Sequence, residues 1–154
     1  MAFIYETRNF EVISADRPLV CRSEGGHVII YSKDKTIQSL EDLDLERTIE
    51  RSILVRATGN AMKKVLSSNP HKVDIGILNY QTNGNWSALN GKNPILHTHI
   101  FGRSFDAIKQ PYGKSLFLPT WEESNGFYDD NLPLEKTDII SMRVRISSLM
   151  KYRI

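Results

Sequence analysis

The chain has 154 residues, 40% of them hydrophobic and 25% charged, which suits one soluble domain with a single sizeable core. Its net charge of +2 is too mild to mark a nucleic-acid or membrane partner, and no apolar run is long enough to span a bilayer. Cys21 is the lone cysteine and the start, MAFIYETRNF, has no signal-peptide pattern, so a reducing, cytoplasmic setting is expected.

Phe3 to Glu6 and Phe10 to Ile13 read as short strands split by the polar Thr7-Arg8-Asn9, with a turn at Asp16-Arg17-Pro18. Gly25-Gly26 breaks the chain again, and HVIIYS (27–32) is a β-branched and aromatic strand. Ile49, Ile53, Ala57, Ala61 and Val65 recur every four residues, widened by Leu54 and Met62, which predicts a helix over 43–67. Asp42 or Asp44 would cap its start, and Asn69-Pro70 would stop it. VDIGILNYQ (73–81) alternates as a strand, 82–94 reads as a loop dense in Asn and Gly, and 96–101 is a further strand. Residues 102–133 are punctuated by Pro and Gly. Residues 135–150 form a second helix with Ile139, Met142, Ile146 and Leu149 on one face. The expected fold is α+β with a mostly antiparallel sheet.

The chemistry concentrates in ILHTHIFGR (95–103). On a strand, His97 and His99 share one face with Ile95 and Phe101, while Leu96, Thr98 and Ile100 face a core. Two imidazoles on one face can divide the labour of phosphoryl chemistry, one attacking phosphorus and the other donating a hydrogen bond. A pair of surface histidines is the plainer alternative. H-x-H on a strand also binds zinc, with His27, His71 or nearby acids as further ligands, but no spacing here points to a metal site.

The stretch resembles the histidine-triad (HIT) motif, in which histidines alternate with apolar residues ahead of a Gly-Arg ending, here His99-Ile100-Phe101-Gly102-Arg103. Residues 26–43, GHVIIYSKDKTIQSLEDL, resemble the block preceding that family's long helix, and YETRNFEVISADRP resembles its opening hairpin. The likeness spans about residues 3–103 and implies a HIT-like fold: a five-stranded, mostly antiparallel sheet, one long helix and a C-terminal helix, all in a single domain over 1–154. In this register His97 falls on the nucleophile and Ile95 replaces the first histidine. Taking His99 as nucleophile instead would put the Gly-Arg ending two residues early.

The resemblance implies that His27 orients the nucleophile, that Asn79 helps place nucleotide or nucleophile, and that Asp16 meets ribose hydroxyls; the plainer readings are a satisfied strand-start histidine, a strand-end polar residue and a turn cap. The family's Gly-Gln-Ser/Thr signature is missing, and Asn90, Lys92 or Asn93 would substitute for its donors. Arg103 could grip phosphate through its planar fork or make an ordinary salt bridge. Phe3, Phe10 and Ile29 are candidates for a base pocket or for the core, and Trp86 for stacking on a base or filling a subunit interface. The segment after Arg103, with Gln110-Pro111, Leu118-Pro119 and Gly126-Phe127-Tyr128, is similar to the tail of diadenosine tetraphosphate hydrolases. Its aromatics Phe105, Tyr112, Phe117, Trp121 and Phe127 would cover the site or a partner subunit.

The activity implied is cleavage of a dinucleoside polyphosphate through a nucleotidyl-histidine. A nucleoside phosphoramidate hydrolase and a low-turnover nucleotide-binding module are the alternatives. No cofactor is implied beyond Mg²⁺ carried by a polyphosphate substrate, and the partners implied are the nucleotide and a second copy of the chain.

Overall fold

A computed structural model describes residues 1–68, 72–82 and 85–151. Asn69-Pro70, the expected helix stop, and His71, a candidate zinc ligand, lie outside these residues. The elements run β1 (Ala2–Glu6), β2 (Phe10–Ser14), β3 (His27–Ser32), α1 (Leu45–Ser68), β4 (Ile75–Gln81), α2 (Asn85–Leu89), β5 (His97–Ser104) and α3 (Lys136–Met150). The five strands form one sheet in the order β1-β2-β3-β5-β4, with every neighbouring pair antiparallel. This is the expected α+β fold, with each strand boundary moved by at most three residues.

Alternation along the strands gives the sheet two faces with different fates. Ile4, Val12, Val28, Ile30, Ile75 and Ile100 point to one face and are buried under Leu54, Ala57, Ala61, Met62 and Leu66 of α1 and Met142 and Ile146 of α3. The helical stripe starts later than its spacing predicts, because Ile49 is exposed and Ile53 only half-buried. The first two turns of α1 run beyond the edge of that core. Asp44 rather than Asp42 caps the helix, its Oδ1 accepting the Arg47 amide at 2.8 Å. Asp42 instead closes the preceding 3-10 turn, accepting the amides of Gln38 and Ser39 at 2.9 Å each.

The Asn/Gly-rich stretch is not wholly loop. It contains α2, which the composition hid because its Asn and Gly residues terminate the helix. Asn90 Nδ2 donates to the Trp86 carbonyl at 2.7 Å, and Gly91 has φ +65°, a left-handed helix end.

The Gly-Arg ending of the histidine strand has a steric cause. Gly102 N donates to Gly26 O at 3.1 Å, which draws the 25–26 turn down onto β5. A Cβ on Gly102 would lie 2.3 Å from the Gly25 oxygen, and one on Gly25 would lie 2.3 Å from the Gly102 carbonyl carbon. Both obstacles are backbone and cannot rotate away. Gly102→Ala is therefore expected to destabilise the fold by about 3 kcal/mol. A thermal melt that superimposes on the wild type would contradict this.

Candidate active site

The second face of the sheet carries the histidines. His27, Ile29 and Tyr31 on β3 stand opposite Phe101, His99 and His97 on β5 in antiparallel register. On the far side, Gln81 of β4 pairs with His99. His27, Ile29, Tyr31, Gln81, His97, His99 and Phe101 form the floor of a cavity of about 770 Å³. Asp16, Arg17 and Leu19 from the β2–β3 connection, Trp86 and Ser87 from α2, and Leu116, Leu118 and Trp121 wall it.

The hydrogens on the imidazoles are fixed by a chain of contacts that starts at the backbone. The Leu19 amide donates to Nδ1 of His27 at 3.2 Å, so that nitrogen must accept. His27 then carries its hydrogen on Nε2, which lies 2.9 Å from Nδ1 of His99 and donates to it. His99 is left with its hydrogen on Nε2, as a donor. His97 has a separate anchor, with Nδ1 donating to the Ile95 carbonyl at 2.6 Å. Its Nε2 keeps a lone pair and has no hydrogen-bond partner among the described residues. The His97 and His99 rings meet edge to face, with centroids 4.7 Å apart.

Burial keeps the relay neutral. It holds His27 well below the ordinary histidine range, helped by the nearby His99 and His97. Burial, and then His97, also pushes His99 down to about 4. An unfolded histidine titrates near about 6.5, so from there downward the unfolded chain binds protons that the folded one refuses. The stability tied to these two groups is complete above that pH and is lost as pH falls toward 4. The urea midpoint should therefore drop between pH 7.5 and pH 5, a window above the carboxylates. A midpoint unchanged across it would count against the buried neutral relay.

The cavity brings together His97, His99, His27, Asp16 and Trp86 from the residues singled out by sequence. Asp16 is exposed and also meets the Met1 amine. Five others, Asn79, Asn90, Lys92, Asn93 and Arg103, lie away from the cavity. Arg103 is on the same face of β5, but the chain folds back over that end of the sheet. Its Nε donates to Asn79 Oδ1 at 3.0 Å, and its Nη1 to the carbonyls of Pro111 and Lys114 at 2.9 and 2.6 Å. Arg103 is buried and serves as a clamp on the 104–133 segment, with its Nε and Nη1 already engaged, and Asn79 orients it. Asn90 and Lys92 are exposed at the end of α2, where Asn90 acts as a cap, and Asn93 is exposed beyond them. Of the three pocket candidates, only Ile29 lines the cavity. Phe10 is in the core, and Phe3 is exposed beneath the Arg143 guanidinium.

Sequence reasoning missed Tyr31, Gln81 and Leu19. The first two follow from laying the predicted strands antiparallel, since both pair directly with the histidine strand. The Leu19 amide has no signature in the sequence. Part of the aromatic tail does cover the site, as Leu116, Leu118, Trp121, Phe127 and Tyr128 pack on Leu19, Val20 and Phe101. Phe105 and Tyr112 instead pack against each other, their rings tilted by 48°, at an exposed position beside Gly76.

The five-stranded antiparallel sheet with the two long helices α1 and α3 on one face is the fold of solved histidine triad proteins. Solved structures with this fold include a hypothetical histidine triad nucleotide-binding protein from Sulfolobus tokodaii, 20% identical with TM-score 0.58, over 96% of this chain and 84% of that one. A histidine triad protein from Bradyrhizobium japonicum is 16% identical with TM-score 0.58, over 97% and 87%. Another from Marinobacter aquaeolei is 16% identical with TM-score 0.58, over 97% and 88%. No protein-family model matches the sequence. No curated protein matches it either.

Proposed function

We propose that the chain is a nucleotide hydrolase that works through a covalent nucleotidyl-His97. The observation that carries this reading is His97 itself, with Nδ1 tied to the Ile95 carbonyl and Nε2 bare in a cavity large enough for a nucleotide. Nε2 donates its lone pair to the α-phosphorus, the N–P bond forms, and the bond to the leaving oxygen breaks with its electron pair. Water then attacks the same phosphorus and frees the ring. His99, with its hydrogen on Nε2, donates to a phosphate oxygen or to the leaving group, and His27 holds that tautomer in place. Asp16 accepts from ribose hydroxyls, while Ile29, Trp86 and Trp121 offer apolar surface to the base.

Ile95 does not count against activity. The acceptor that orients His97 is the backbone carbonyl of residue 95, which any amino acid there would supply. We infer a dinucleoside polyphosphate as substrate, with Mg²⁺ arriving on its phosphates. Support comes from the tail resemblance and from a cavity in the upper part of the usual range for small-molecule sites. The Sulfolobus tokodaii neighbour is described as nucleotide-binding, which fits the same class. The proposal includes a homodimer in the cytoplasm. β4 is a sheet edge, and Ile77, Leu45 and Ile49 are exposed apolar residues on it and on α1. No helix among the described residues is long and apolar enough to cross a membrane.

The test is to incubate the chain with diadenosine tetraphosphate or adenosine 5′-phosphoramidate, quench in alkaline denaturant, and examine the His97 peptide by mass spectrometry. An adduct of one nucleoside monophosphate on His97 is expected. Release of product faster from the phosphoramidate reassigns the substrate. Tight binding with neither adduct nor turnover makes the protein a binding module.

A further inference from the structure

His97 shares its rung of the sheet with a second ring. Tyr31 is its antiparallel partner across β3 and β5. The phenol and imidazole centroids lie 5.2 Å apart with the planes 28° from parallel, a stacked pair. Tyr31 is held from behind by Ile13, Ala15 and Ile29, so its ring has an apolar seat and presents a face to His97. Its hydroxyl makes no hydrogen bond among the described residues. Burial, and then Glu11, raises its pKa, so the phenol stays un-ionised at neutral pH.

We propose that Tyr31 is a positioning residue whose ring face holds the His97 imidazole in its attacking orientation and stabilises the charge that ring acquires. This rests on reading His97 as the nucleophile. A neutral imidazole that bonds to phosphorus through Nε2 while keeping its Nδ1 hydrogen becomes a cation. It remains one until water breaks the N–P bond. A π face gains little from a neutral ring and much more from a cation within about 6 Å of its centre. The contact is therefore stronger in the transition state than in the resting enzyme, which is the condition for raising kcat. The second stack in the site provides a contrast. Phe101 lies parallel to His99, with centroids 5.5 Å apart and planes within 6°, but His99 is a hydrogen donor and takes on no positive charge by attacking phosphorus.

The test compares wild type with Tyr31→Phe, which keeps the face, and Tyr31→Leu, which removes it. Tyr31→Met replaces the leucine variant should that one fail to fold. Three readouts are taken on the full chain. In NMR spectra, the ring protons of His97 should be displaced by the neighbouring aromatic ring in wild type and Tyr31→Phe, and should lose that displacement in Tyr31→Leu. Phosphorylation of His97 by potassium phosphoramidate, followed by mass spectrometry, reads attack on phosphorus without any nucleotide. The N–P bond to His97 forms as the donor's P–N bond breaks and ammonia leaves. This rate should be within twofold of wild type in Tyr31→Phe and fall by about 3- to 30-fold in Tyr31→Leu, the range a cation–π contact supplies. With a nucleotide substrate, kcat should fall by the same factor while KM holds.

Phosphorylation of Tyr31→Leu at the wild-type rate overturns the proposal. So does a phenylalanine variant as slow as the leucine one, which would move the effect to the hydroxyl. If His97 depends on Tyr31 with phosphoramidate but the wild type cleaves no nucleotide, the hydrolase reading fails and this one stands. Failure of His97 to accept phosphorus from either donor overturns both.

Discussion

Replacing His97 with alanine is expected to lower kcat/KM for nucleotide cleavage by at least about 10⁴-fold, because removal of a covalent nucleophile leaves only binding and oxyanion stabilisation. The fold should survive, since His97 is half-buried on the cavity floor and contributes nothing to the packing beneath α1. His99→Ala should cost less. It removes one donor, and removal of a comparable donor elsewhere costs about 10²- to 10³-fold. The order of these two effects reports the register of the histidine strand. Turnover that survives His97→Ala and dies in His99→Ala would make His99 the nucleophile. That requires the relay from the Leu19 amide to run with opposite tautomers, against the donor at its start.

The largest loss of stability is expected far from the cavity, at Arg22 and Asp138. Arg22 Nε donates to Asp138 Oδ2 at 2.7 Å and Nη2 donates to Oδ1 at 3.1 Å, and the side chains are 7% and 0% exposed. The pairing raises the Arg22 pKa, with the Asp138 hydrogen bond as the leading cause and burial working against it. Asp138 Oδ2 also accepts the Glu135 amide at 2.9 Å, capping the first turn of α3. Arg22→Ala leaves the buried Asp138 carboxylate without its guanidinium, Asp138→Ala leaves Arg22 only the half-exposed Glu135 carboxylate at 3.6 Å, and each should destabilise the fold by about 3–5 kcal/mol. For a chain of this size that lowers Tm by roughly 6–20 °C. The double variant Arg22→Met/Asp138→Leu removes both charges together and should recover much of the loss. A double variant as unstable as the singles would mean that the cap and the local hydrogen bonds, rather than the stranded charge, hold this corner.

Much of the site was legible because it is local. The alternation in residues 95–103 puts His97 and His99 on one face, and the residue before VIIYS is the histidine that reaches them. The C-terminal helix was legible through its apolar spacing, with Met142 and Ile146 both fully buried. What stayed hidden depends on contacts distant in sequence. Arg103 followed the motif and looked like a phosphate ligand. Its destination was decided by the carbonyls of Pro111 and Lys114, which arrive only once the following segment has folded back. Tyr31 looked like any strand aromatic until the register of β3 against β5 set it on His97. Helix α2 was masked because its terminating Asn and Gly residues dominate the composition of a five-residue element.

The wall formed by Leu116, Leu118 and Trp121 belongs to a stretch that pairs with no strand. It is moored by the Arg103 clamp and by Glu24, whose carboxylate accepts the amides of Ile108 and Lys109 at 2.8 and 2.9 Å. Under the proposed function, reactivity and discrimination thus reside in separable lengths of polypeptide. The moored stretch could be rewritten between its tethers, to admit a bulkier or smaller guest, while the imidazoles and the strands that carry them stay untouched.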